Sequence, residues 1–215
     1  DCGPHGALNC GHAHADALAI DVAANGRTVL VDPGTYTYTG SKAERDWFRS
    51  SQAHNTVTLD DVSSSIPGGP FTWKTKVTCR LKKWISEERF DFVSGEHDGL
   101  HERSILFVKG EYWIIRDTVS DPNEHRGAIW FHFDSAAESG LSIQSFGRDG
   151  RWVEEDRWVS HCYGQKEPAK ARAYSVLFKN GDEVYSFLLP QAGWQVKEIE
   201  AEEGRAFEVD GGNTR

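Results

Sequence analysis

Short runs of β-branched and aromatic residues punctuate this chain, and turn dipeptides that call for positive φ separate them. Runs at 18–22, 28–31, 55–59, 73–81, 104–108, 112–116, 128–133, 175–178 and 184–189 read as strands. Asn25-Gly26, Lys109-Gly110, Asp149-Gly150 and Asn180-Gly181 each stand between two apolar runs, where hairpin turns need such residues. Neighbouring strands are therefore expected to pair antiparallel. One stretch, 41–48, reads as a short helix, with Ser41 and Glu44 forming a capping box ahead of Trp47 and Phe48. Many strands and almost no helix argue against βαβ units. They predict an all-β fold, an antiparallel two-sheet β-sandwich of jelly-roll type with one short helix.

The chain has 215 residues, with eleven Phe, eight Trp and six Tyr to fill a core. Without a linker-like tract or an internal repeat, residues 1–215 read as a single β-sandwich domain. No apolar run is long enough for a membrane-spanning helix. A formal charge of -9 disfavours non-specific attraction to nucleic acid. Methionine is absent and the first residue is Asp1, so the chain reads as a piece of a longer product. Of the cysteines, Cys2 and Cys10 are close enough for a loop staple in an oxidising compartment, and buried free thiols are the other reading.

The polar residues of the first sixty positions cluster in a way a sandwich surface does not require. His12 and His14 stand two apart, and an extended backbone would project both rings to one face. Asp32 closes the run at 28–31, and His54-Asn55 opens the next strand. Two strand ends and a crossing loop can bring His14, Asp32 and His54 together as a divalent metal set with an open position. Zinc is the first choice for two imidazoles and a carboxylate. A grouping of His14, Asp16 and His54, the triad of non-haem iron oxygenases, is the competing set. A cupin-like metalloenzyme is a neighbouring reading, although the Glu expected a few residues after the second His is missing. His5, His97, His101, His125, His132 and His161 show no such grouping and read as structural or surface residues.

Lys74, Lys76, Arg80 and Lys82 fall on even positions, so one regular strand would present them as a basic stripe. An ordinary solvated face is the plainer reading of that stripe. Arg49, tied by sequence to the His54 segment, is a further candidate for anchoring a carboxylate.

The stretches GHAHADAL (11–18), VLVDPGTYTYTG (29–40) and RDWFRSSQAHNTV (45–57), followed by HERSILFV (101–108) and EYWIIRDTV (111–119), are arranged in a telling order. Together they resemble the C-terminal β-sandwich domain of heparinase II/III-like polysaccharide lyases, over about residues 1–132. The resemblance implies a sandwich that sits behind an N-terminal α-helical toroid, with an acidic polysaccharide such as a glycosaminoglycan or alginate in the cleft between them. It implies that His12 is catalytic and faces substrate, that His14, Asp32 and His54 bind zinc or calcium, and that Asn55, which follows the metal histidine, lies on the substrate side; Arg49 is kept beside it as a substrate-binding candidate on its sequence position alone. The implied chemistry is β-elimination at a uronic acid. The catalytic Tyr and the Asn that neutralises the substrate carboxylate are implied to come from the toroid, so neither Tyr36 nor Tyr38 is assigned that part and the isolated chain is expected to be inactive. A periplasmic or secreted location goes with this reading. A non-catalytic, metal-stabilised carbohydrate-binding or structural β-sandwich is the alternative.

Overall fold

The computed structural model describes residues 1–134 and 140–211. Among them sixteen strands follow one another: β1 (Val22–Ala24), β2 (Arg27–Leu30), β3 (Val57–Leu59), β4 (Ile66–Gly69), β5 (Thr72–Thr75), β6 (Cys79–Ser86), β7 (Phe90–His97), β8 (His101–Val108), β9 (Tyr112–Val119), β10 (His125–His132), β11 (Ser142–Gly147), β12 (Gly150–Cys162), β13 (Gln165–Phe178), β14 (Glu183–Leu189), β15 (Gln195–Ile199) and β16 (Ala206–Asp210). One helix, α1 (Lys42–Phe48), precedes β3. Two principal sheets form, in the orders β12-β13-β10-β3 and β11-β14-β9-β8-β7-β6. All pairings between these strands are antiparallel, which gives the β-sandwich the sequence predicts.

The core lies between these sheets. Ile129, Phe131, Tyr174, Val176 and Phe178 from the smaller sheet pack with Ile115, Val119, Val184 and Leu188 from the larger. Alternation explains the choice, since successive residues of a strand point to opposite faces. Burial of these side chains is the main favourable term, worth roughly 1.5–3 kcal/mol for each large aliphatic or aromatic residue. On the outer face of the larger sheet, the β15–β16 hairpin covers Phe187 and Leu189 with Trp194, Val196 and Phe207.

The turn chemistry predicts the local geometry well. Asn25 and Gly26 both have positive φ, as the two-residue β1–β2 hairpin requires. Gly110 and Gly181 are left-handed in their turns, whereas Gly150 already belongs to β12 and the positive φ falls on Gly147. The Ser41 hydroxyl caps α1 by accepting from the Glu44 N–H at 3.3 Å, while the Glu44 carboxylate turns instead to Lys166.

Three expectations need correction. Residues 18–22 are not a strand: Leu18 is left-handed and pairing begins only at Val22. The run at 73–81 breaks into β5 and β6, which lie in different sheets. The basic stripe therefore disperses. Arg80 and Lys82 pair with Glu96 and Glu102 on neighbouring strands, and Lys76 turns to Cys10. The long β12–β13 ribbon is also more extensive than the run at 175–178 suggests, because its charged outer half lacks apolar alternation.

Within the sandwich, between strands β8 and β9, lies a buried charge cluster. Arg103 grips Asp117 with two hydrogen bonds, Nε to Oδ1 at 2.7 Å and Nη2 to Oδ2 at 3.0 Å, and His101 Nε2 donates to the same carboxylate at 2.8 Å. Arg103 Nη1 reaches out of the sheet to the carbonyls of Leu18 and Asn55, at 3.0 and 2.7 Å. Burial alone would raise the Asp117 pKa, but Arg103 and His101 outweigh it and hold the carboxyl at about 2. Because this pKa is depressed below its ordinary 3.8, the stabilisation is complete above that value and fades as pH falls through about 2. Asp117→Asn strands a buried guanidinium and is expected to cost about 3–5 kcal/mol. Thermal melts check this, with the midpoint expected to fall by roughly 10 °C.

Candidate metal centre

The segment carrying the two site histidines is irregular. Cys10 and Leu18 are left-handed, and the Ala13 and Ala15 N–H groups bond to Cys10 O and Arg49 O. His12 and His14 therefore part company instead of sharing one face. His12 is exposed, and its Nδ1 meets the Tyr38 hydroxyl at 3.1 Å. His14 is buried, and its Nδ1 lies 3.0 Å from His54 Nε2.

Asp32 completes the group. Its Oδ2 stands 3.3 Å from His54 Nε2, and the three ligand atoms all lie within 4.8 Å of one another. Asp16, from the competing oxygenase-like triad, is not in this set: Asp32 takes the carboxylate position. Two ligands held about 2.0–2.1 Å from a tetrahedral zinc lie about 3.3 Å from each other, and the 3.0 and 3.3 Å separations from His54 Nε2 are close to that spacing.

The surroundings fix each donor. His54 Nδ1 donates to Ser50 O at 2.7 Å, which turns Nε2 toward His14 and Asp32. Asp32 Oδ1 accepts from Gly34 N at 2.7 Å, leaving Oδ2 for the site. Burial, followed by the neighbouring His54, lowers the His14 pKa to about 3 and keeps its ring in the neutral form a metal needs. Burial works against charge on both partners of the His54–Asp32 pair. Their mutual attraction prevails, holding Asp32 at about 2 and raising His54 above its ordinary value.

Two residues expected on the substrate side are turned inward. Arg49 is fully buried, and its guanidinium donates to Pro70 O, Gly69 O and the Asp46 carboxylate while stacking over Trp73. Asn55 is also buried. Its amide donates to Ile20 O and Val31 O and accepts from His132 N, so it ties two site segments to β10. In this arrangement both side chains are engaged as clamps, and neither has an exposed face for a carboxylate.

Sequence reasoning passed over one contributor. Arg45 is buried beside Arg49 and donates to Gly11 O at 3.1 Å and Pro70 O at 3.2 Å, so it fixes the residue before His12. Arg45 also lies over the Tyr38 ring, and that ring stacks with Phe71 and Tyr163 next to His12. The Arg-x-x-x-Arg spacing from α1 to its C-cap was the available signal, because side chains four apart share a helix face.

Comparisons with known proteins give the family and the fold. The model of the family described as heparinase II/III-like, C-terminal, matches residues 1–208. The chain belongs to that family. This membership displaces the cupin-like reading. A heparin-sulfate lyase of Pedobacter heparinus is 25% identical over 94% of this chain and 33% of that protein. A heparin-sulfate lyase of Bacteroides stercoris is 24% identical over 72% of the chain and 25% of that protein. The chain thus spans at most about a third of the length of the curated relatives it matches. Among solved structures, a heparinase III gene product superposes with a TM-score of 0.78 at 22% identity, covering 98% of this chain and 36% of that one. The heparan sulfate lyase HepC of Pedobacter heparinus gives 0.76 at 22% identity, covering 89% and 33%. At these identities the structures speak for the fold.

Gly34 offers a test of how the Asp32 turn is held. Its φ is +76°, and an added Cβ would lie 2.1 Å from the Ser160 carbonyl oxygen. Gly34→Ala is expected to destabilise the protein by more than about 1 kcal/mol. It should also weaken divalent-cation binding by moving Asp32, as checked by melting and by isothermal titration with zinc.

Proposed function

We propose that the chain is the C-terminal β-sandwich domain of a longer polysaccharide lyase acting on an acidic, uronic acid-containing polysaccharide. Family membership and the heparin-sulfate lyase relatives support this reading. The observation that carries it is the division of labour within one loop. His14 turns inward to the donor set while His12, two residues earlier, stands exposed against Tyr38.

His14 Nδ1, Asp32 Oδ2 and His54 Nε2 would hold a divalent cation, zinc before calcium on the softness of two imidazoles. Bound there, the cation supplies structural cross-linking between the site loop, the end of β2 and the start of β3. His12 is the group that meets the substrate. Its Nδ1 is engaged by Tyr38, so Nε2 remains to exchange a proton with the sugar. In β-elimination the C5–H bond breaks and its electrons form the C4–C5 double bond. The bond from C4 to the leaving oxygen breaks, and that oxygen takes up a proton. His12 serves one of these two proton transfers. The groups that neutralise the substrate carboxylate, and a catalytic tyrosine, belong to an N-terminal helical domain of the same protein, without which this chain is inactive. The substrate class places the enzyme in the periplasm or outside the cell. No helix among the described residues is long and apolar enough to cross a membrane.

In the full-length enzyme, His12→Ala is expected to lower turnover by about 10²-fold or more, read from the ultraviolet absorbance of unsaturated uronate ends, with metal content unchanged. His54→Ala should instead lose the metal, measured by mass spectrometry, and melt several degrees earlier. Full turnover in the His12→Ala enzyme would overturn the catalytic reading in favour of a carbohydrate-binding module. An unchanged metal content in the His54→Ala enzyme would overturn the metal assignment.

A further inference from the structure

The first residues of the chain do not trail away from the sandwich. Leu18 N donates to Asp1 O at 2.7 Å, so residues 1–18 form a closed loop that carries both His12 and His14. Pro4 bridges Thr78 in antiparallel fashion, which lays the start of this loop along the strand end where β6 begins. At that contact Cys2 Sγ lies 3.9 Å from Cys79 Sγ. The two sulfurs sit with Ala17, Leu18 and Val77 in a small apolar cluster. The Cys2 sulfur is seated over Gly95 of β7, where an added Cβ would stand only 2.4 Å away. Cys10, the partner suggested by spacing, is engaged elsewhere: its sulfur lies 3.8 Å from Leu8 O and 3.7 Å from Lys76 Nζ.

We propose that Cys2 and Cys79 form a disulfide that fastens the neck of the site loop to strand β6. Closing the gap to the roughly 2.05 Å of an S–S bond needs a side-chain rotation at Cys2, which is half-buried and lies beyond the end of any strand. The oxidant is a disulfide, such as oxidised glutathione or a thiol–disulfide oxidoreductase. The Cys2 thiolate attacks it, forming a mixed disulfide and releasing one thiol. The Cys79 thiolate then attacks the Cys2 sulfur and expels the second thiol. The two cysteines lose two protons and two electrons, and the oxidant is reduced to two thiols. Desolvation first, and the nearby Cys2 sulfur second, push the Cys79 thiol up to about 12. Cys79 is therefore inert while Cys2 is free, and capping Cys2 removes one of the two causes. This order makes Cys2 the entry point. The bond constrains the unfolded chain across the span from Cys2 to Cys79, and it holds the loop independently of any metal.

The test uses the full-length protein purified without reductant and equilibrated with oxidised glutathione. After unfolding, an alkylating reagent should label Cys10 and Cys162 but neither Cys2 nor Cys79, and peptide mapping should recover a fragment joining Cys2 to Cys79. Cys2→Ser and Cys79→Ser should each lower the oxidised melting temperature by about 5–10 °C, with no further loss in the double variant. In reducing buffer that difference from the parent protein should vanish. Labelling of Cys2 and Cys79 after glutathione treatment, or a fragment joining Cys2 to Cys10, would overturn the proposal. The metal and lyase assignments are read by other measurements and stand or fall separately.

Discussion

The bidentate pair between Arg103 and Asp117 is the interaction on which the site depends. A buried charge pair gains little stability over a well-packed apolar pair, because desolvation offsets much of its attraction. What this one provides is reach. With Asp117 occupying two of its nitrogens, the guanidinium still has Nη1 to offer, and that nitrogen holds both Leu18 O and Asn55 O. Those carbonyls mark the end of the loop bearing His12 and His14 and the residue after His54. The larger sheet thus sets the distance between the two halves of the donor set.

The same logic recurs at the opposite side of the loop. Arg45 and Arg49, one turn apart on or just after α1, take the carbonyls of Gly11, Gly69 and Pro70. Asn55 spans Ile20, Val31 and His132 in the same way. A stretch without regular hydrogen bonding must satisfy its backbone groups somehow, and here buried side chains supply the partners that a sheet neighbour would. Irregularity is what allows His12 and His14 to point in different directions. A regular strand would have placed them on one face.

The sandwich was legible because its signals are local: period-two burial, glycine-bearing turns and a capped helix all act within a few residues. The convergence of His14, Asp32 and His54 was legible for a different reason, since these are scarce residue types near the ends of readable strands. The roles of Arg49 and Asn55 were not legible. A polar residue beside a site motif looks the same in sequence whether it turns toward a ligand or toward a carbonyl, and only the surrounding packing decides. The basic stripe failed because nothing local announces that residues 76–78 break one strand into two, belonging to different sheets. HERSILFV and EYWIIRDTV carried their meaning unseen, for they supply Arg103 and Asp117.

The arginine clamps reach the loops chiefly through main-chain oxygens: Arg103, Arg45 and Arg49 hold the carbonyls of Leu18, Asn55, Gly11, Gly69 and Pro70. Every amino acid presents the same carbonyl, so the scaffold is indifferent to most of what the loops display. A fully exposed position such as Leu8 is free to drift in size and polarity while the donor set keeps its shape. The architecture separates what must be kept from what can be varied, and a fold built this way can change its loop surfaces without rebuilding its centre.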